Sequence, residues 1–127
     1  MSTSTLEQLV SKRCAACEGN LKKLTPRQAR QQVKALNGWR LTHGGKCIRK
    51  DWQVKHFGEA VSFLNRVAQV AETEGHHPDF HLENYRRVRI EIWTHSLSGL
   101  TENDFVLAAK IDRLPIALKN LAPSSGV

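Results

Sequence analysis

The chain has no apolar run approaching the length of a membrane span, and its N-terminus lacks a signal-peptide pattern. A membrane or secreted class is therefore not expected, and a cytoplasmic location follows. Cysteine is scarce, with only Cys14, Cys17 and Cys47. An odd count argues against a closed disulfide framework. Cys14-Ala-Ala-Cys17 has half of a zinc spacing, but a structural zinc wants four ligands and only Cys47 remains. A redox pair of this spacing belongs after a strand, and nothing before Cys14 reads as one. Acidic residues are outnumbered, 12 against 19 basic ones, for a formal charge of +7. That excess favours acidic partners. The charges are scattered, however, so a solvated basic surface ranks first and nucleic acid is not the expected partner.

What is present suits one domain with a modest core: 127 residues, 40% hydrophobic and 24% charged. Residues 1–20 are polar, with weak helical spacing at Leu6, Leu9 and Val10. They read as an arm, flexible or borrowed by a neighbouring subunit. Residues 21–122 form the domain, and 123–127 a loose tail. Thr25-Pro26-Arg27-Gln28 is a helix start, with a threonine cap, proline at the first helical position and glutamine able to reach back. Ala29, Val33 and Leu36 give its apolar stripe, and Asn37-Gly38 stops it.

Alternation from Trp39 to His43, the Gly44-Gly45 turn signal and a return run from Lys46 to Val54 predict a hairpin. Phe57, Ala60, Val61, Leu64, Val67, Ala68 and Ala71 recur at helical spacing, which predicts a helix over 57–74 ended by Gly75. After Pro78, Phe80 and Leu82 share one strand face and His81 takes the other. Arg87 to His95 alternates, with Val88, Ile90, Ile92 and Thr94 on the side that belongs against helices. Thr101 starts a last helix with acids in its first turn. Its stripe is Leu107, Ile111, Leu114 and Leu118, with a kink or interruption at Pro115. The expected architecture is an α+β two-layer sandwich, α-β-β-α-β-β-α, with a four-stranded antiparallel sheet packed on helices. Exposed edges of so small a sheet favour pairing with another copy.

Four of the six histidines fall in one stretch: His76, His77, His81 and His95. Imidazole exchanges protons near neutral pH. His77 precedes proline, which pushes it toward an extended conformation. Glu72 lies one helical turn before His76, where it can orient an imidazole or hold a polar ligand. Three readings compete. Two imidazoles can divide acid and base work on a small polar molecule. Glu72, His76, His77 and His81 could instead hold a metal, although adjacent histidines seldom share one ion. Or they are exposed turn residues, the role assigned to His43 and His56.

The stretch also resembles a known family. Glu72-x3-His76-His77-Pro78, then Tyr85, His95 and Asp104 at their spacings, is similar to the signature of the pterin-4a-carbinolamine dehydratases, with Phe80, Thr94-His95 and Gly99-Leu100-Thr101 also in place. The resemblance covers roughly 21–121. It implies the same α+β fold and a dimer or tetramer formed through sheet edges and helices. It implies acid-base loss of water from a 4a-hydroxytetrahydropterin, giving a quinonoid dihydropterin, with no metal and no cofactor. It implies His76, His77 and His95 as catalytic residues and Glu72, Pro78, Phe80 and Thr94 at the pterin.

The segments Asp79-Phe80-His81-Leu82, Trp93-Thr94-His95 and Asn103 to Asp112 look more like a dehydratase-like subgroup associated with RuBisCO assembly, in α-carboxysome bacteria and plastids. In that subgroup pterin activity is weak or absent. It implies an alternative function as an assembly factor, with RuBisCO as a possible partner and carboxysome association. The basic cluster Arg86-Arg87-x-Arg89 suits an acidic client. Transcriptional coactivation, known for animal relatives, has no supporting feature here.

Overall fold

The computed structural model describes residues 3–15 and 21–119. Cys17 and the tail expected to be loose lie outside the described residues. The elements are α1 (Leu6–Ser11), α2 (Pro26–Val33), β1 (Arg40–Thr42), β2 (Cys47–Gln53), α3 (Phe57–Glu74), β3 (Asp79–Glu83), β4 (Arg87–Ile92) and α4 (Glu102–Ile111). The strands form one antiparallel sheet in the order β1-β2-β4-β3. Helices cover one face, so the α+β sandwich expected from the pattern is the observed fold. No described helix is long and apolar enough to cross a membrane.

Register explains the two faces. Ile48 pairs with Ile92, Lys50 with Ile90, and Trp52 with Val88. These side chains point toward the helices, where Ile48, Ile90, Ile92 and Val88 are essentially inaccessible. Phe63 on α3 meets Trp52 edge-on at 5.2 Å, and Trp52 meets Trp39 at 5.8 Å, the geometry that ring quadrupoles favour. Lys50, the one cation on this face of β2, is satisfied by Asp112 at 3.0 Å and by the Asn37 carbonyl at 2.9 Å.

Local signals act as their chemistry requires. Thr25 Oγ1 accepts from the Gln28 N–H, and Gln28 reaches back to the Thr25 N–H. His56 caps α3, its Nδ1 accepting from the Glu59 N–H at 3.1 Å. That bears out a structural role for this histidine. Gly75 closes α3 at φ 67°, a left-handed conformation that glycine adopts without a Cβ clash. The turn it makes delivers His76 and His77 to the end of the sheet.

Two features differ from the sequence reading. The N-terminal segment expected to be an arm forms the six-residue helix α1, which docks on α4 of its own chain. Leu9 is fully buried in the core. Gln32 clamps the backbone of Ser4 in both directions, and Asn103 does the same for Ala15. Weak periodicity over six residues hid this, because one buried leucine and two side-chain clamps hold the segment. With α1 on its outer side and the sheet on its inner side, α4 is buried almost all round from Asn103 to Ala109.

The second difference is the end of α4. The stripe was expected to run to Leu118, but the helix stops at Ile111. Pro115 has no N–H and pushes Leu114 away from helical geometry. The chain turns and lies extended beside the end of β2. Leu118 bridges Val54, and the Lys119 N–H donates to the Gln53 carbonyl at 2.9 Å. Glu59 pins this strap by accepting from the Ala117 N–H at 2.8 Å. Cys14 is half-buried beside Glu74. Desolvation, reinforced by the Glu74 charge, pushes its thiol up to about 12, which leaves it unreactive at neutral pH.

Candidate active site

Gly75, His76, His77 and Pro78 form one wall of an open cleft of about 410 Å³, and Asp79, Trp93, His95 and Ser96 form the other. Volumes of this order hold small heterocycles. The α3–β3 turn supplies the first histidine pair. His95 begins a single 3-10 turn, His95–Leu97, just beyond β4. Residues far apart in sequence thus meet because β3 and β4 are antiparallel neighbours.

His76 is buried, and its Nε2 lies 2.6 Å from Asp104 Oδ1. Asp104 itself is fully enclosed. Its other oxygen accepts from Thr94 Oγ1 at 2.9 Å and from the Thr101 N–H at 2.8 Å. Thr94 Oγ1 also lies 2.9 Å from Thr101 Oγ1. A carboxylate so surrounded by donors holds the proton of His76 on Nε2 and leaves Nδ1 as the untied nitrogen. His77 is exposed, and its Nε2 lies 2.7 Å from Glu72 Oε2. The His95 ring rests tilted against Trp93, with centroids 4.2 Å apart, and Trp93 Nε1 donates to Asp79 at 3.4 Å.

The three histidines singled out as catalytic line this cleft together, as does Pro78. Glu72 joins it through His77, not through His76 as its helical spacing suggested. Asp104 takes the place beside His76 instead. Thr94, expected at the ligand, is fully buried and spends its hydroxyl on Asp104 and Thr101. Phe80 is not among the residues lining the cleft. It sits on the helix-facing side of β3, opposite Ile90. His81 points to the open sheet face, where Nε2 meets Glu91 Oε1 at 2.9 Å, so it cannot join a metal set with His76 and His77. Trp93 and Asp79 were not chosen from sequence. The signal for Trp93 was its shared strand face with His95.

The sequence as a whole matches a known group of proteins. A family model described as pterin 4 alpha carbinolamine dehydratase matches residues 22–114. The chain belongs to that family. It is 43% identical over 115 residues to pterin-4-alpha-carbinolamine dehydratase 2, mitochondrial, of Arabidopsis thaliana, a match that covers 88% of this chain and 62% of the relative. It is 39% identical over 111 residues to a putative dehydratase of Nitrosospira multiformis, covering 87% of this chain and 96% of the relative. Among solved structures, a transcriptional coactivator/pterin dehydratase from Brucella melitensis superposes with a TM-score of 0.67 at 33% identity, covering 72% of this chain and 96% of that one. A pterin dehydratase-like protein identified as a RuBisCO assembly factor in the α-carboxysome shares the fold, with a TM-score of 0.51 at 22% identity over 61% of this chain and 88% of that one.

Proposed function

We propose that the chain dehydrates 4a-hydroxytetrahydropterins to quinonoid dihydropterins. The observation that carries this reading is the shared cleft of His76, His77 and His95, in which two imidazoles are each held by a carboxylate through Nε2. In the reaction N5 gives up its proton and its electron pair forms the N5=C4a double bond. The C4a–O bond breaks, and the hydroxyl leaves with an added proton as water. One base and one acid near neutrality suffice. His76, with Nε2–H donated to the buried Asp104, offers Nδ1 as the base, and Asp104 stabilises the imidazolium that forms. His77 is exposed beside Glu72 and can be reprotonated directly from solvent, which suits the acid. Trp93 and His95 present flat faces against which a bicyclic heterocycle stacks.

The test is stopped-flow measurement of carbinolamine tetrahydropterin decay. The wild type should exceed the uncatalysed rate, and His77→Ala should lose about 100- to 10,000-fold. A wild-type rate equal to the uncatalysed one overturns the reading.

RuBisCO assembly ranks second. The Arg86-Arg87-x-Arg89 cluster that would suit an acidic client is largely engaged. Arg86 binds the carbonyls of Val54 and Lys55, and Arg89 binds Asp51 at 3.1 Å. Raised soluble RuBisCO on coexpression, undiminished by His77→Ala, would favour it. Self-association is also part of the proposal, through the edges of β1 and β3, which no described strand covers. Light scattering on the purified chain reads it directly.

A further inference from the structure

Cys47 lies outside the Cys14-Ala-Ala-Cys17 pair, and His43 stands alone in the sequence. The β1–β2 hairpin brings both beside Glu91 on the sheet face that no described helix covers. Ligand atoms of the three, one each, lie within 4.8 Å of one another. They border a separate cavity of about 210 Å³ that Lys46, Asp79 and Trp93 complete.

We propose that His43, Cys47 and Glu91 bind one Zn²⁺ ion through an imidazole nitrogen, a thiolate and a carboxylate oxygen. Pairing of Thr42 with Cys47 places His43 directly after the strand residue facing the thiol. Glu91 lies opposite Arg49, two residues along from Cys47, so it is a diagonal neighbour on the same face. A nitrogen, a sulfur and an oxygen together suit a borderline ion, not Mg²⁺ or Ca²⁺, which prefer oxygen alone. Three protein ligands and one open position is a standard zinc arrangement, with bonds of about 2.0–2.3 Å and ligand atoms therefore about 3–4 Å apart. The exposed His43 ring can close the remaining gap by rotation.

The surroundings are those of a held ligand set. Thr42 Oγ1 lies 3.0 Å from His43 Nδ1, and His81 Nε2 lies 2.9 Å from Glu91 Oε1. Such outer contacts fix ring and carboxylate orientation at metal sites. Cys47 Sγ–H points to the Ile48 carbonyl at 3.4 Å. On binding, the S–H proton passes to water and the sulfur pair goes to the ion. The Lys46 ammonium is exposed at the cavity rim, and its flexible stem lets it swing clear. Asp79 and Trp93 border this cavity and the histidine cleft alike, so an ion here buttresses a wall of the cleft.

The test uses the full-length chain, stripped with chelator and titrated with Co²⁺, followed by Zn²⁺ in competition. The expected result is one equivalent of Co²⁺ with a thiolate-to-cobalt charge-transfer band, displaced by Zn²⁺. Cys47→Ser should abolish the band. His43→Asn should weaken binding by more than the roughly 10- to 100-fold that loss of an outer contact costs. Asparagine tolerates the positive φ of 54° at that position, so this exposed variant decides the matter should Cys47→Ser not fold. Cys14→Ser with Cys17→Ser should leave the band intact. Absence of a thiolate band, its loss in that double variant, or unchanged affinity in His43→Asn would each overturn the site.

Discussion

His76 Nε2 stands 2.6 Å from Asp104 Oδ1, with both groups withdrawn from solvent and Asp104 bound on its other oxygen by Thr94 and the Thr101 N–H. The pair joins the end of α3 to the start of α4, and so ties a fold contact to a chemical one. Asp104→Asn keeps the volume but no longer fixes the proton of His76 on Nε2. We expect kcat for carbinolamine dehydration to fall by about 100- to 10,000-fold, with KM little changed. Thermal unfolding of the same variant should show a loss of about 1–3 kcal/mol for the disrupted buried network.

The two adjacent histidines should separate by stability. His76→Ala leaves the enclosed Asp104 without its partner, a change that typically costs about 3–5 kcal/mol. His77→Ala removes an exposed side chain, and urea unfolding should move by no more than about 0.5 kcal/mol. Both should lose activity. Equal destabilisation of the two variants would show that the His76–Asp104 contact does not hold the fold.

Leu9 tests whether the N-terminal helix belongs to the domain. It is fully buried where α1 meets α4. Leu9→Ala should cost about 2–5 kcal/mol in urea denaturation and leave dehydration kinetics of the folded fraction unaltered. A neutral outcome would mean that α1 contributes no stability to the core.

Two carboxyls should respond to pH in opposite senses. Burial works against the charge on Glu74, but the Lys110 ammonium at 2.6 Å and the Cys14 N–H at 2.8 Å outweigh it and hold the carboxyl below its usual value. A depressed carboxyl adds stability above its unfolded pKa of about 4.3, and that stability is lost as pH falls through the lower folded value. The advantage of wild type over Glu74→Gln should therefore be largest near pH 7 and close in strong acid. For Asp112 burial wins over Lys50 and Trp39 and raises the carboxyl. Stability from this group is present below its unfolded pKa and lost as pH rises through the folded one. Wild type should lose ground to Asp112→Asn between about pH 3 and about pH 7. Urea midpoints from strong acid to neutral pH measure both, and parallel curves would refute the assignment.

Much of the architecture was legible because its signals are local. Thr25-Pro26-x-Gln28, the period of Phe57 to Ala71, Gly75 and the alternation of Val88 to Thr94 each act through the nearest turn or strand. The spacing of His76, His77, His95 and Asp104 was equally plain as a pattern. What that pattern could not say is which carboxylate serves which ring, since helical spacing offered Glu72 to His76 while the fold gives it to His77. The surroundings of Thr94, Phe80 and the N-terminal segment were hidden for the same reason. Their surroundings are set by α4, β3 and α1 coming together across long separations.

The amino-acid order by itself determined the strands, the long helix and its stop, and the histidine set, because caps, periodicity and turn residues impose their geometry within a few positions. Only the tertiary structure decided that Asp104 backs His76, that α4 ends before Pro115 and yields to a strap along β2, and that His43, Cys47 and Glu91 face one another. Those outcomes depend on packing and strand register, which bring together groups that no short-range rule connects.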